Sequence, residues 1–287
     1  MENLGRIMLA RPQWQGMLTD MWEKSFGDGR ERIGLFHKHF PVENYAWCYA
    51  EGDRPLSVIY ALPGWRWSRC GREPVRYLYA GATGILDRGR GYYGRLLREV
   101  CGAGAASYIL MPVPELIPYY EKLGFVLMQK EADEAVGLGD GGFPRADGRP
   151  AGVAEAGMSD GPGADISMVR KINAGRYKEL RDLRFGRPGY VEWDENYLAY
   201  ALESLEAEGG QAMEVRLEGE AHILLGREDG HCLKLTETSL SSEQLVRAAG
   251  FLKSRFQCDL AVRKGAVLMG FGKAWEETPY FNIPLDE

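Results

Sequence analysis

Tyr77-Leu-Tyr-Ala-Gly-Ala-Thr83, Gly84-Ile-Leu-Asp87 and Arg88-Gly-Arg-Gly-Tyr-Tyr-Gly94 run without a break into Arg95-Leu-Leu-Arg-Glu-Val100. The β-branched and aromatic residues of Val75–Gly81 predict a strand. Tyr93, Leu96, Leu97 and Val100 fall at i, i+3, i+4 and i+7, which predicts a helix with one apolar stripe. A strand, a glycine-rich turn and a helix start in that order make an anion site. The first helical N–H groups lack intrahelical acceptors, and the helix dipole adds roughly half a positive charge there. Glycine lets the backbone come close to a phosphate, and Arg88 and Arg90 add formal charge. The loop lacks the Gly-Lys-Ser/Thr ending of an ATP- or GTP-binding loop and the glycine spacing of a dinucleotide fold.

Short strands and helices alternate on both sides of this stretch. Upstream, Ile7–Ala10 reads as a strand and Trp14 opens a helix with Met17, Leu18 and Met21 on one face. Ile33, Phe36, His37 and Phe40 mark a second helix, and Asn44–Tyr49 and Leu56–Leu62 are strands. Downstream, Tyr108–Met111 is a buried strand ended by Pro112 and Pro114, since proline cannot donate to a ladder. Leu116–Leu123 is a short helix closed by Gly124, and Phe125–Gln129 returns as a strand. The fold class is α/β, of the mixed-sheet (α+β) kind.

The Arg88–Gly94 loop, followed after one strand by Tyr119-Tyr-Glu-Lys-Leu-Gly-Phe125, resembles the GNAT superfamily of acyl-CoA-dependent N-acetyltransferases. Their loop reads Arg/Gln-x-x-Gly-x-Gly/Ala, and a Tyr-Glu-Lys-x-Gly-Phe segment follows the next strand. Arg88, Gly91 and Tyr120–Phe125 match in order over residues 1–130. Tyr93 departs from the pattern by standing where the final small residue belongs. A bulky residue there is similar to a subgroup that includes the multi-domain Eis-like acetyltransferases.

The resemblance implies acetyl-CoA as co-substrate and a primary amine, on a small molecule or a peptide or protein, as acceptor. Gly89, Arg90, Gly91, Tyr92, Tyr93 and Gly94 would carry the amides that hold the CoA pyrophosphate, with Arg88 beside them. The pantetheine arm would lie along the strand ending at Gly81, Ala82 and Thr83, where a splay from Tyr108–Met111 exposes backbone groups. An amide near Gly81–Thr83 would bond the thioester oxygen as it becomes an oxyanion, an interaction worth ~3 to 4 kcal/mol. Tyr120 is the candidate general acid for the departing thiolate. Tyr119, about 100° away around the helix, packs instead. Glu43, Glu73 and Glu115 are equal candidates for the base, and water is a further route. His37 and His39 sit in a helix, and Trp47, Trp65 and Trp67 line either a cleft or the core.

The composition shifts between Val136 and Ala164, a stretch rich in glycine and proline and nearly free of bulky apolar residues. Such a segment cannot offset its own backbone entropy by burial and predicts a linker or long loop. The chain then divides into residues 1–135, the linker 136–164 and a second domain, 165–287. Ile166, Arg170 and Gly175 repeat the spacing of Ile7, Arg11 and Gly16. Helices at Glu195–Ala207 and Glu243–Phe256, with strands at Ala212–Leu217, Ala221–Leu225, Cys232–Thr236 and Asp259–Val262, repeat the order of the first half. The second glycine loop is missing. Thr238-Ser-Leu-Ser-Ser-Glu-Gln244 stands there instead, with Ser241 and Gln244 spaced as a helix capping box. This is similar to tandem bacterial acetyltransferases with a degenerate C-terminal half.

The chain's 287 residues suit two cores of about 140 residues each. Apolar residues at 45% and charged residues at 26% exclude disorder over most of the length. A formal net charge of −6 argues against nucleic acid as partner. No apolar run approaches the ~18 to 20 residues of a membrane helix, and the N-terminus is no secretory signal. Five scattered cysteines imply neither disulfides nor a metal site and suit a reducing cytoplasm. An inactive CoA-binding or protein-interaction module, or a structural pair of domains, remain alternatives to the enzyme.

Overall fold

The computed structural model describes residues 5–129 except 103 and 105, and residues 166–229, 232–256, 259–262 and 268–272. The expected linker 136–164 lies outside them, as does Cys258. In chain order the first elements are β1 (Arg6–Leu9), α1 (Gln15–Phe26), α2 (Arg30–His39), α3 (Val42–Tyr45), β2 (Ala46–Glu51), β3 (Arg54–Ser68) and β4 (Gly71–Thr83). There follow α4 (Tyr92–Gly102), β5 (Ser107–Leu110), α5 (Ile117–Lys122) and β6 (Val126–Gln129). Past residue 165 come β7 (Ile166–Lys171), α6 (Ala174–Phe185), β8 (Val191–Trp193), α7 (Glu195–Ala207) and β9 (Gly210–Leu217). The last are β10 (Glu220–Asp229), β11 (Cys232–Thr238), α8 (Ser242–Phe256), β12 (Asp259–Val262) and β13 (Leu268–Phe271).

These elements form two compact units. The first holds a mixed sheet in the order β1-β2-β3-β4-β5-β13-β6, with β8 paired to the outer part of β3. Strands β1 to β4 are antiparallel neighbours, whereas β4 and β5 are parallel. Helix α4 covers one face. Its stripe Leu96, Leu97, Val100 and Cys101 packs in one cluster with Ile59, Ala61, Leu78, Leu110, Tyr120 and Met269. Each such aliphatic side chain contributes about 1.5–3 kcal/mol as it leaves water. The other face carries an aromatic layer in which Trp22 of α1 and Phe36 of α2 meet Tyr60 and Tyr79, at centroid separations of 4.9–5.5 Å.

The second unit repeats the order β, α, three antiparallel strands, α and a parallel strand. Its sheet runs β12-β11-β10-β9-β7, with only β11 and β12 parallel. Here the sequence and the structure agree closely. The capping box forms as expected: Ser241 N–H donates to Gln244 Oε1 at 2.9 Å, and Gln244 N–H donates to Ser241 Oγ at 3.2 Å.

Residues Arg187–Tyr200 and the strand Leu268–Phe271 group with the first unit, so both β8 and β13 belong to its sheet. A partition of the chain at 136–164 alone does not anticipate them. Strand β13 enters antiparallel between β5 and β6, with Met269 opposite Leu110 and Leu127. Met269 is fully buried there. A Met269→Ala variant is expected to lose about 2–5 kcal/mol in urea unfolding, and an unchanged midpoint would contradict this placement of β13.

Candidate active site

Strands β4 and β5 pair over only Val75↔Ser107, Arg76↔Tyr108 and Tyr77↔Ile109. β5 then ends at Leu110 and is followed by Pro112 and Pro114. Among the described residues, Leu78–Thr83 keeps a strand neighbour only on the β3 side. Its other edge is open. On the paired side the register slips between Val58↔Ala82 and Tyr60↔Tyr79, so Ala80 and Gly81 together oppose Ile59. This bulge holds Ala80 at φ 49°, a left-handed conformation that costs on the order of 1–3 kcal/mol in a residue with a side chain. Ser57 clamps the strand beyond it, donating to Ala82 O at 2.9 Å and meeting Thr83 Oγ1 at 3.0 Å.

The loop after β4 turns back through Gly91 at φ 75°, a conformation that glycine adopts without strain. Arg95 N–H donates to Gly91 O at 3.1 Å, which makes Gly91 the N-cap of α4. A glycine cap offers no side-chain acceptor, so the amides of Tyr92, Tyr93 and Gly94 stay available at the positive end of the helix. Arg88 ties the loop down: it donates to Thr83 O and to Ser25 Oγ, both at 3.3 Å. Buried Asp87 braces it from below through Arg54, at 2.9 and 3.2 Å, with exposed Arg90 3.9 Å away. Sequence reasoning does not single out Asp87, whose one signal is an acid between Leu86 and Arg88.

The structure separates the loop tyrosines. Tyr92 stacks on Tyr49 at 4.6 Å and donates to Glu51 at 3.4 Å. Tyr93 turns the other way, toward β4 and α5. Its hydroxyl fills the space beside Gly81, 2.1 Å from where a Cβ at that position would stand. The same hydroxyl lies 3.3 Å from that of Tyr120, which is buried on α5. Tyr119 stacks against Tyr93 at 6.2 Å and 18°. Burial raises the pKa of Tyr93 and of Tyr120, and the hydrogen bond with Tyr93 pulls Tyr120 partly back. Of the residues expected at the site, Tyr93 thus meets both Gly81 and Tyr120. Thr83 meets Arg88, and Gly89 to Gly94 line the loop and helix start.

The remaining candidates have other engagements. Glu73 receives the Arg66 Nε–H at 2.9 Å, while Glu43 and Glu115 are exposed on α3 and on the turn before α5. Trp67 donates to Glu192 at 2.9 Å, Trp65 is overlaid by Arg72 at 5.1 Å, and Trp47 packs on the α4 core. His39 bonds Asn196 at 3.1 Å. His37 is buried, with Nε2 2.7 Å from Tyr60 Oη.

No family model matches the sequence, and no curated protein matches it. Solved structures do. A GCN5-related N-acetyltransferase from Anabaena variabilis aligns with a TM-score of 0.65 at 12% identity, over 93% of this chain and 72% of that one. A GCN5-related N-acetyltransferase from Kribbella flavida gives 0.62 at 16%, over 93% and 70%. Eis1 from Mycobacterium abscessus gives 0.57 at 11%, over 90% and 65%. The chain has the GNAT fold.

In this GNAT fold the aromatic face carries one titration with a clear consequence. Burial lowers the pKa of His37 from 6.5 to about 4. As pH falls below 6.5 the unfolded chain binds a proton that folded His37 refuses until about 4. The fold therefore loses up to about 3 kcal/mol between those values. Chemical unfolding across this window should show a flatter pH dependence for His37→Gln than for the wild type, and parallel curves would contradict the assignment.

Proposed function

We propose that this protein is an N-acetyltransferase that moves an acetyl group from acetyl-CoA directly to a primary amine, on a small molecule, peptide or protein. One observation carries the reading. The open edge Leu78–Thr83 runs between a helix start without a side-chain cap, at Gly91–Gly94, and a buried hydroxyl, at Tyr120. An anion cradle, a strand edge without a strand neighbour and a proton donor thus follow one another, as a diphosphate, a pantetheine and a thioester require.

The amides of Gly89 to Gly94 would hold the diphosphate, with Arg88 and Arg90 supplying charge. The backbone of Leu78–Thr83 would pair with the pantetheine amides as another strand would. An amide at Gly81–Thr83, aimed outward by the bulge at Ala80, would stabilise the oxygen of the attacked carbonyl. Both substrates bind together, so much of the rate gain comes from positioning. Tyr120 gives its proton to the departing sulfur. A thiol near 8.5 is a stronger acid than an unperturbed phenol near 10, so this transfer works through a bond formed as charge develops.

We assign the co-substrate to the first unit alone, because the capping box of Ser241 and Gln244 supplies side-chain partners at the matching helix start of the second. A reducing cytoplasm suits the buried thiols Cys48 and Cys101, whose pKa values burial raises to about 12. Among the described residues no helix is long and apolar enough to cross a membrane.

A thiol-release screen of acetyl-CoA against an amine library should identify an acceptor. With that acceptor, Tyr120→Phe is expected to lower kcat by at least about 100-fold while leaving acetyl-CoA affinity nearly unchanged. Gly91→Val should instead weaken acetyl-CoA binding by about tenfold, through the strain of a β-branched residue at positive φ. Binding without thiol release from any amine would make the protein an inactive CoA-binding module.

A further inference from the structure

We propose that Tyr93 is a positioning residue whose hydroxyl holds Tyr120 in place as proton donor to the departing thiolate; this rests on the acetyl-transfer reading above. The GNAT loop pattern has a small residue at this position. Here a tyrosine stands there, and the surrounding backbone is shaped to receive it. Gly81 leaves room for the hydroxyl: a Cβ there would stand 2.1 Å from Tyr93 Oη, 2.7 Å from its Cζ and 2.8 Å from Ile59 Cδ1. Tyr119 fixes the ring by stacking at 18°, and Gly94 lets Tyr119 close in, its hydroxyl 3.3 Å from where a Cβ at Gly94 would be. Gly81 of β4 and Tyr119 and Tyr120 of α5 thus close on one phenol, whose oxygen lies 3.3 Å from Tyr120 Oη.

Of the two protons on adjoining hydroxyls, one lies between the oxygens and the other points away. When Tyr93 donates to Tyr120 Oη, the proton of Tyr120 is free to point at the sulfur. As the thioester C–S bond breaks, its electron pair stays on sulfur, and sulfur takes the Tyr120 proton to give the free thiol. The Tyr120 phenolate that remains accepts the Tyr93 hydrogen bond. It recovers a proton from solvent, which balances the one the amine gives up as the amide forms. The distance fits this sequence of events. At 3.3 Å the contact is long for two neutral hydroxyls, whose usual separation is about 2.7–2.8 Å. A bond to an anionic oxygen is shorter and stronger, so the interaction grows as Tyr120 gives up its proton. An interaction stronger in the transition state than at rest accelerates the step. Burial weakens Tyr120 as an acid, and the hydrogen bond with Tyr93 opposes that effect.

Tyr93→Phe keeps the ring and its stack and removes only the hydroxyl. We expect kcat to fall about tenfold, the basic limb of the kcat–pH profile to move to higher pH, and KM for acetyl-CoA to change less than about twofold. Gly81→Ala, which keeps Tyr93 but displaces its hydroxyl, should move the limb in the same direction. In the free protein, titration of ring-carbon-labelled tyrosine by NMR should show Tyr120 ionising at higher pH in Tyr93→Phe than in the wild type. A Tyr93→Phe protein with an unmoved basic limb and unmoved Tyr120 ionisation overturns the proposal, whatever its melting temperature. If Tyr120→Phe is impaired and Tyr93→Phe is not, this inference alone fails. If Tyr120→Phe turns over normally, the assignment of Tyr120 fails and takes this inference with it.

Discussion

Parallel pairing between β4 and β5 lasts for three residue pairs and then stops. Backbone groups left open inside a sheet are costly unless something satisfies them. The surroundings here stabilise the opening instead of closing it. Prolines at 112 and 114 end β5 on one side. On the other, the bulge at Ala80–Gly81, the Ser57 clamp and the Arg88 tie to Thr83 hold the exposed strand in one conformation. The strain at Ala80 sits where an oxyanion donor would be aimed, and the packed stripe of α4 against Leu78 and Ile59 anchors it. A rigid sheet with one deliberate gap is a suitable support for a long, flexible thioester.

The two units show how one topology can carry different local chemistry. Both have three antiparallel strands, a helix and a parallel strand, yet they treat the helix start in opposite ways. The first leaves it to glycine. The second fills it with Ser241 and Gln244 and puts its charges to structural use: Arg181 and Glu237 pair fully buried, and Glu214 receives Arg170 and Arg176. Hydrogen bonds to Arg176 and Arg170 hold the Glu214 carboxyl at a pKa of about 2 against its desolvation. Function follows such local choices and not the fold that carries them.

Much of this architecture is legible in the sequence because it is local. The apolar stripe of α4, the prolines after β5, the glycine loop and the capping box each follow from residues a few positions apart. The features that escape are non-local. β8 and β13 are three and four residues long and pair with strands far away in the chain, so no periodicity marks them. The bulge depends on register between β3 and β4, which a single strand does not reveal. Tyr93 illustrates the limit: its place in the loop pattern is plain, but only the space at Gly81 shows that its ring turns toward Tyr120. Likewise Asp87 reads as a loop acid until Arg54 is found against it.

The most direct test of the central claim is the structure of the protein with acetyl-CoA bound. The diphosphate is expected on the amides of residues 89–94, the pantetheine paired along Leu78–Thr83 and the sulfur within hydrogen-bond reach of Tyr120. A cofactor seated away from the β4–β5 opening, or a protein that takes up none, would contradict it.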